Sequence, residues 1–198
     1  MMKIGVLCLQ GAVREHVASL EQCGVDVVCV KKKQQLADVD GLIIPGGEST
    51  TIGKLIERFD LAETLKKYIR QGKPVYGTCA GLIMLAKHVE GSKQFILGGM
   101  DITVARNAFG RQRESFEEDL LLPFLGEEPF RAVFIRAPLI KACGAAVEVL
   151  ANCRDEIVAA RQGNILVSSF HPELTDDVRF HDYFVAMAKQ YKRDHAKE

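Results

Sequence analysis

The chain has 198 residues, 47% of them apolar and 26% charged, with Lys+Arg 26 balanced by Asp+Glu 26. At ~150 residues per domain this predicts one compact domain over 1–198, and the composition excludes long-range disorder. Zero formal net charge argues against a nucleic-acid binder, no apolar segment reaches the ~18 residues of a membrane helix, and residues 4–9 are too short for a signal peptide.

Residues 3–9 read as a buried first strand. Val13–Gln22 carries Val13, Val17 and Leu20 at helical spacing and ends at Gly24, which predicts a helix. Residues 25–30 form a second strand and Gly41–Ile44 a third, stopping at Pro45-Gly46-Gly47. Ser49-Thr50-Thr51 offers hydroxyl caps for a helix running toward Arg58, and 61–70 reads as another helix. Residues 74–77 make a short strand, followed by Thr78-Cys79-Ala80-Gly81 and an apolar helix to His88. Apolar strands alternating with helices predict an α/β fold with a parallel sheet covered on both faces.

The second half has a different rhythm. Met100–Ala105 predicts a strand, whereas 107–122 is charge-rich around Gly110 and reads as an exposed excursion. Phe130–Ile135, 145–150, 157–160 and 165–170 are short strands separated by turn signals, expected to extend the sheet, some of them antiparallel. Residues 176–191 close the chain as a helix with Asp176-Asp177 at its start, and 192–198 are a polar, fraying end. Cys8, Cys23, Cys29, Cys79, Cys143 and Cys153 include no CxxC pair, against zinc-knuckle and thioredoxin-type readings. Their apolar settings predict a reduced, cytoplasmic protein with mostly buried thiols.

Three motifs carry chemistry. In Gly77-Thr78-Cys79-Ala80-Gly81 a cysteine sits between strand and helix with a glycine two residues away on either side. This is a thiol version of the nucleophile elbow: the turn strains the backbone, glycines remove clashes, and the following helix start favours thiolate. Read singly, Cys79 is one more small core residue; the flanking glycines favour the nucleophile. In Ser169-Phe170-His171-Pro172-Glu173 the proline pushes His171 toward extended geometry, which brings His171 and Glu173 to the same side as base and orienter. A surface His–Glu pair is the bland alternative. In Pro45-Gly46-Gly47-Glu48-Ser49 the glycines leave backbone N–H groups free for an oxyanion hole shared with Ala80, or simply serve a strand-to-helix turn. Arg106 and Arg136 end predicted strands, where carboxylate sites occur in open sheets, although either alone reads as a surface ion pair. Lys31-Lys32-Lys33 reads as a solvated loop, and His16, His88, His181 and His195 show no metal spacing, with His181 and His195 expected at the surface.

The elbow and the His171-Pro172-Glu173 block together resemble the class I, triad-type glutamine amidotransferases. Within that class, Leu9-Gln10-Gly11-Ala12-Val13-Arg14-Glu15-His16, the segment from Gly41 to Thr51, Arg106-Asn107-Ala108-Phe109-Gly110-Arg111-Gln112 and Phe134-Ile135-Arg136-Ala137-Pro138 are similar to the glutaminase subunit of pyridoxal 5′-phosphate synthase. The resemblance covers essentially the whole chain. It implies a three-layer sandwich with a mostly parallel central sheet flanked by helices, class I glutamine amidotransferase-like (flavodoxin-like). It also implies hydrolysis of L-glutamine through a thioester on Cys79, with His171 as base and Glu173 as its orienter. Gly47, Glu48, Ser49, Arg106, Ile135 and Arg136 would line the glutamine site, and no metal or organic cofactor is implied. The implied partner is a synthase (lyase) subunit that receives the ammonia, in a complex of twelve synthase and twelve glutaminase subunits, with no nucleic acid or membrane involved. The segment from Gln10 to His16 is a candidate docking surface. Rival readings are the glutaminase of another pathway, such as imidazole glycerol phosphate synthase, an elbow-cysteine peptidase or chaperone, and a binding module that has lost its chemistry.

Overall fold

The computed structural model describes residues 2–106 and 115–196. The first half follows the alternation read from the sequence: β1 (Lys3–Leu7), α1 (Val13–Gln22), β2 (Asp26–Val30), β3 (Gly41–Ile44), α2 (Ser49–Arg58), α3 (Ala62–Arg70), β4 (Val75–Thr78) and α4 (Ala80–Leu85). The second half adds β5 (Ala86–Val89), β6 (Met100–Ala105), β7 (Ser115–Leu120), β8 (Phe130–Ile135), β9 (Leu139–Cys143), β10 (Glu148–Cys153), β11 (Glu156–Gln162), β12 (Ile165–Ser168) and the long α5 (Arg179–Asp194).

Among the described residues, ten strands form one sheet in the order β2-β1-β3-β4-β12-β11-β9-β6-β5, with β10 on β11. The five strands from β2 to β12 are parallel. β11 runs antiparallel to β12, β9 and β10, as expected for part of the second half. Side chains alternate between two cores. Leu42 and Ile44 of β3 pack with α2, α3 and α4, whereas Ile43 packs with α1 and α5 on the opposite face. All three are essentially inaccessible to solvent, each burial contributing roughly 1.5–3 kcal/mol. The strand order reverses at β1, which lies between β2 and β3. In open α/β sheets such a switch point opens a crevice beyond the carboxyl ends of the strands. The carboxyl ends of β1, β3, β4 and β12 lead directly into the segments of Gln10, Gly46, Cys79 and His171.

Several expectations need correction. The helix after the elbow ends at Leu85 instead of His88: Ala86 turns extended, and its segment pairs with β6 at the sheet edge, where ladder bonds outweigh helix propensity. Residues 115–120 of the expected excursion are a strand, while 107–114 lie outside the described residues. β7 pairs with β8 as a separate two-stranded sheet, so Phe130–Ile135 does not extend the main one. Cross-strand pairs explain the choice: Phe116 stacks on Phe134 with centroids 4.6 Å apart, and Arg131 bonds both Glu117 and Asp119. β9 was not anticipated, and the strand expected at 145–150 lies at Glu148–Cys153.

The thiols also depart from expectation. Cys8 and Cys29 form a disulfide, their Cα atoms 5.5 Å apart; Cys8 lies just past the end of β1 and stays beside β2 through its N–H, which donates to Val30 O at 2.9 Å. Cys29 is exposed, and only Cys79 and Cys153 are buried, so the cysteines are not mostly core residues. No helix among the described residues is long and apolar enough to cross a membrane.

Candidate active site

Cys79 occupies the tip of the β4–α4 turn at φ 48° and ψ −99°, a region that side-chain-bearing residues rarely adopt. Its N–H donates to Ser168 O at 2.8 Å, which ties the turn to the end of β12. Close approach explains both flanking glycines. A Cβ on Gly77 would come within 2.5 Å of the Gly81 carbonyl carbon, and one on Gly81 within 2.1 Å of Ile44 O. Neither distance is sterically tolerable, so the turn closes only with glycine at both positions.

His171 follows β12 and is pinned by its N–H donating to Val133 O at 2.8 Å. The segment beyond it is a 3₁₀ turn over Pro172–Leu174, not the extended run expected from the proline. The outcome is nonetheless the anticipated pair, with His171 Nδ1 2.7 Å from Glu173 Oε1. Gly46 locates the sulfur and the imidazole in one place. A Cβ built there would lie 2.5 Å from His171 Cε1 and 3.5 Å from Cys79 Cβ. Any larger residue would displace the ring.

The electrostatics suit nucleophilic chemistry. Burial opposes a charge on His171, but its hydrogen bonds with Cys79 and Glu173 and their negative charges outweigh it, raising its pKa to about 10. Burial also opposes the Glu173 charge. There His16 and His171 prevail and hold the carboxyl below its ordinary range.

The sulfur and the ring open into a cavity of about 410 Å³. Gly47, Glu48, Ser49, Ala80, Arg106, Ile135 and Arg136, all expected at the site, line it with Cys79 and His171. Glu173 lies behind the cavity, only 5% exposed. Arg106 donates to Glu48 Oε1 at 3.3 Å and to Gln94 Oε1 at 3.1 Å, and Ser49 Oγ donates to the same Gln94 oxygen at 3.2 Å. Glu48, not the expected hydroxyls, caps α2 by accepting the Thr51 N–H at 2.9 Å. Thr50 Oγ1 donates to the same carboxylate, which lies below its ordinary pKa chiefly through that bond. Arg136 stands at φ 44°, a second strained residue at the cavity wall.

Other residues at the site were not anticipated. Gln10 lines the cavity and accepts the Glu48 N–H at 2.9 Å, and Ala12 N–H donates to Gly46 O at 2.9 Å. Gln10 lies just beyond the carboxyl end of β1, so the strand-end argument applied to the two arginines would have found it. Gln94 carried no such signal. His181, expected at the surface, is fully buried because α5 turns that face onto the sheet, and His16 is buried with it. The residues after Arg106 in its sequence block, 107–112, lie outside the described residues.

A strained cysteine elbow at the carboxyl edge of a largely parallel sheet, backed by a histidine and a carboxylate, is the design of the class I glutamine amidotransferases. Relatives agree. The SNO glutamine amidotransferase family matches residues 6–190. The chain is 60% identical over 192 residues to the "Pyridoxal 5'-phosphate synthase subunit PdxT" of Halalkalibacterium halodurans, covering 97% of each chain. It is 61% identical over 184 residues to the protein of the same name from Pelotomaculum thermopropionicum, covering 93% of this chain and 94% of that one. A solved structure described as a glutamine amidotransferase superposes with a TM-score of 0.90 at 49% identity, over 94% of this chain and 98% of the other. The chain belongs to the SNO glutamine amidotransferase family.

Proposed function

We propose that this chain is the glutaminase subunit of a pyridoxal 5′-phosphate synthase, a single domain over 1–198 with Cys79, His171 and Glu173 as its triad. The Cys79 thiolate attacks the side-chain carboxamide carbon of L-glutamine, forming a C–S bond and an oxyanion. Backbone N–H groups of Gly47 and Ala80 hold that oxyanion, each such donor contributing roughly 10²–10³ in rate. His171 gives its proton to the leaving nitrogen, the C–N bond breaks, and ammonia departs from a glutamyl thioester. His171 then takes a proton from water, whose oxygen attacks the thioester and releases glutamate and the thiolate. Glu173 keeps the imidazole oriented and favours its charged form. Arg106 and Arg136, with Glu48 and Ser49, bind the polar end of glutamine, Arg106 being suited to the α-carboxylate.

The observation that carries this reading is the shared position of Cys79 and His171 against Gly46, with Glu173 2.7 Å behind the ring. Relatives named as subunits of a pyridoxal 5′-phosphate synthase support a further synthase subunit as partner; that this partner accepts the ammonia, in a complex of twelve and twelve, is part of the proposal. Residues 10–15 are the proposed docking face, since Gln10 and Ala12 bond the glycine turn beside the nucleophile; His16, which ends the segment expected there, is fully buried and takes no part. A cytoplasmic location belongs to the same proposal because Cys79 must stay reduced to act; the Cys8–Cys29 disulfide does not support it. Ammonia release from glutamine, measured with and without the synthase subunit, tests it. Slow release alone and stimulated release in the complex are expected; peptide cleavage, or no glutamine turnover in the complex, would overturn it.

A further inference from the structure

Behind the triad lies a second buried layer. His16 on α1 and His181 on α5 are both fully buried, with His16 Nδ1 2.9 Å from His181 Nε2. His16 Nε2 is 3.0 Å from Thr78 Oγ1 and 3.5 Å from Glu173 Oε1, the same oxygen that faces His171. Glu173 Oε2 meets no partner among the described residues, so Oε1 is where the carboxylate is held.

The proton positions follow from satisfaction. Burial keeps both histidines neutral, lowering His16 and taking His181 down to about 3. Each ring therefore carries one N–H. His181 Nδ1 has no partner among the described residues. A proton there would be a buried, unpaired donor, which is costlier than an unused lone pair. The His181 proton therefore sits on Nε2 and is donated to His16 Nδ1. His16 must then carry its own proton on Nε2, aimed at Thr78 Oγ1 and Glu173 Oε1.

We propose that His16 is a positioning residue for the triad: as the Nε2–H tautomer, fixed by His181, it holds Glu173 ionised and aligned behind His171. This rests on the glutaminase reading above. The titratable groups around Glu173 are His16 from α1, Tyr76 and Cys79 from β4 and the elbow, His171, and His181 from α5. Of these, His16 is the neutral donor within 3.5 Å of the carboxylate. Loss of that donor lets Glu173 protonate at higher pH, and a neutral Glu173 no longer supports the charged His171.

Two side chains separate this role from simple packing. Glutamine places its amide nitrogen, a donor, near the imidazole Nε2 position, whereas asparagine reaches only the Nδ1 position, where its amide oxygen accepts the His181 Nε2–H. In the complex with the synthase subunit, His16→Gln is expected to keep kcat within about threefold of the parent chain. His16→Asn, which restores only the His181 contact, is expected to lose about tenfold or more in kcat with KM little changed, its acidic limb moving up by about one pH unit. Asparagine matching glutamine, or glutamine as impaired as asparagine, would overturn the proposal. Absence of glutamine turnover by the parent complex would instead remove the glutaminase reading itself. Long-range ¹⁵N–¹H correlation of the unsubstituted chain needs no variant: protonated Nε2 and bare Nδ1 are expected on His16, and the opposite tautomer would refute the assignment.

Discussion

Thr78, the residue before the nucleophile, accepts the backbone N–H of Gly46 at 2.8 Å. One hydroxyl thus joins the β4 elbow to the glycine turn after β3, holding together two segments of the proposed oxyanion hole. Thr78 is fully buried, so its removal would leave the Gly46 N–H without water to replace it. Thr78→Val is expected to destabilise the fold by roughly 1–3 kcal/mol, whereas Thr78→Ser keeps the acceptor and loses less. Urea unfolding of the two variants decides; equal losses would mean that the hydroxyl does not hold the turn.

The elbow stores strain at Cys79, whose φ of 48° burdens any residue with a Cβ. Cys79→Ala retains that strain and loses the sulfur; Cys79→Gly relieves it. Glycine is therefore expected to be the more stable of the two inactive variants by about 1 kcal/mol, strain relief exceeding its entropy cost. Denaturant midpoints test this, and an alanine variant at least as stable as the glycine one would show that the turn is unstrained.

Stability should depend on pH in two opposite directions. His181 falls to about 3 in the folded chain, and His16 is lowered too, both because burial disfavours their charge. Below the ordinary value of 6.5 the unfolded chain binds protons that the folded chain refuses, so stability falls as pH falls. Each histidine contributes up to about 1.4 kcal/mol per pH unit. His171, raised to about 10, acts in the other sense: its contribution is complete below 6.5 and is lost as pH rises toward 10. Near pH 5.5, about one unit below the ordinary histidine value and one above the ordinary glutamate value of 4.5, the buried histidines carry most of the slope. His181→Gln should reduce it by up to about 1.4 kcal/mol per pH unit. An unchanged slope would mean that His181 is not held neutral.

Much of this architecture is legible in the residues. Val13–Gln22, Gly41–Ile44 and Met100–Ala105 form the elements their patterns predict, because one apolar period dominates each. The elbow and the histidine–carboxylate pair are local motifs, so their chemistry is written within a few residues. What is less legible depends on register or on long-range partners. The Cys8–Cys29 disulfide needs β1 and β2 to be parallel neighbours in one particular register. β7 looks like an exposed loop until Arg131 and Arg154 supply partners for its acidic side chains. His181 could have been placed: it shares the helical face of Phe184, Val185 and Ala188, all buried against the sheet, and that periodicity outweighs its polarity.

The proposed chemistry turns on a bond between Cys79 and the glutamyl group. Acid quenching of the synthase complex during turnover of isotopically labelled glutamine, followed by mass spectrometry of its peptides, looks for that bond directly. The account predicts label on the Cys79 peptide that vanishes as substrate is exhausted and never forms in Cys79→Ala. Undiminished ammonia release by Cys79→Ala, or label held by another residue, would contradict it.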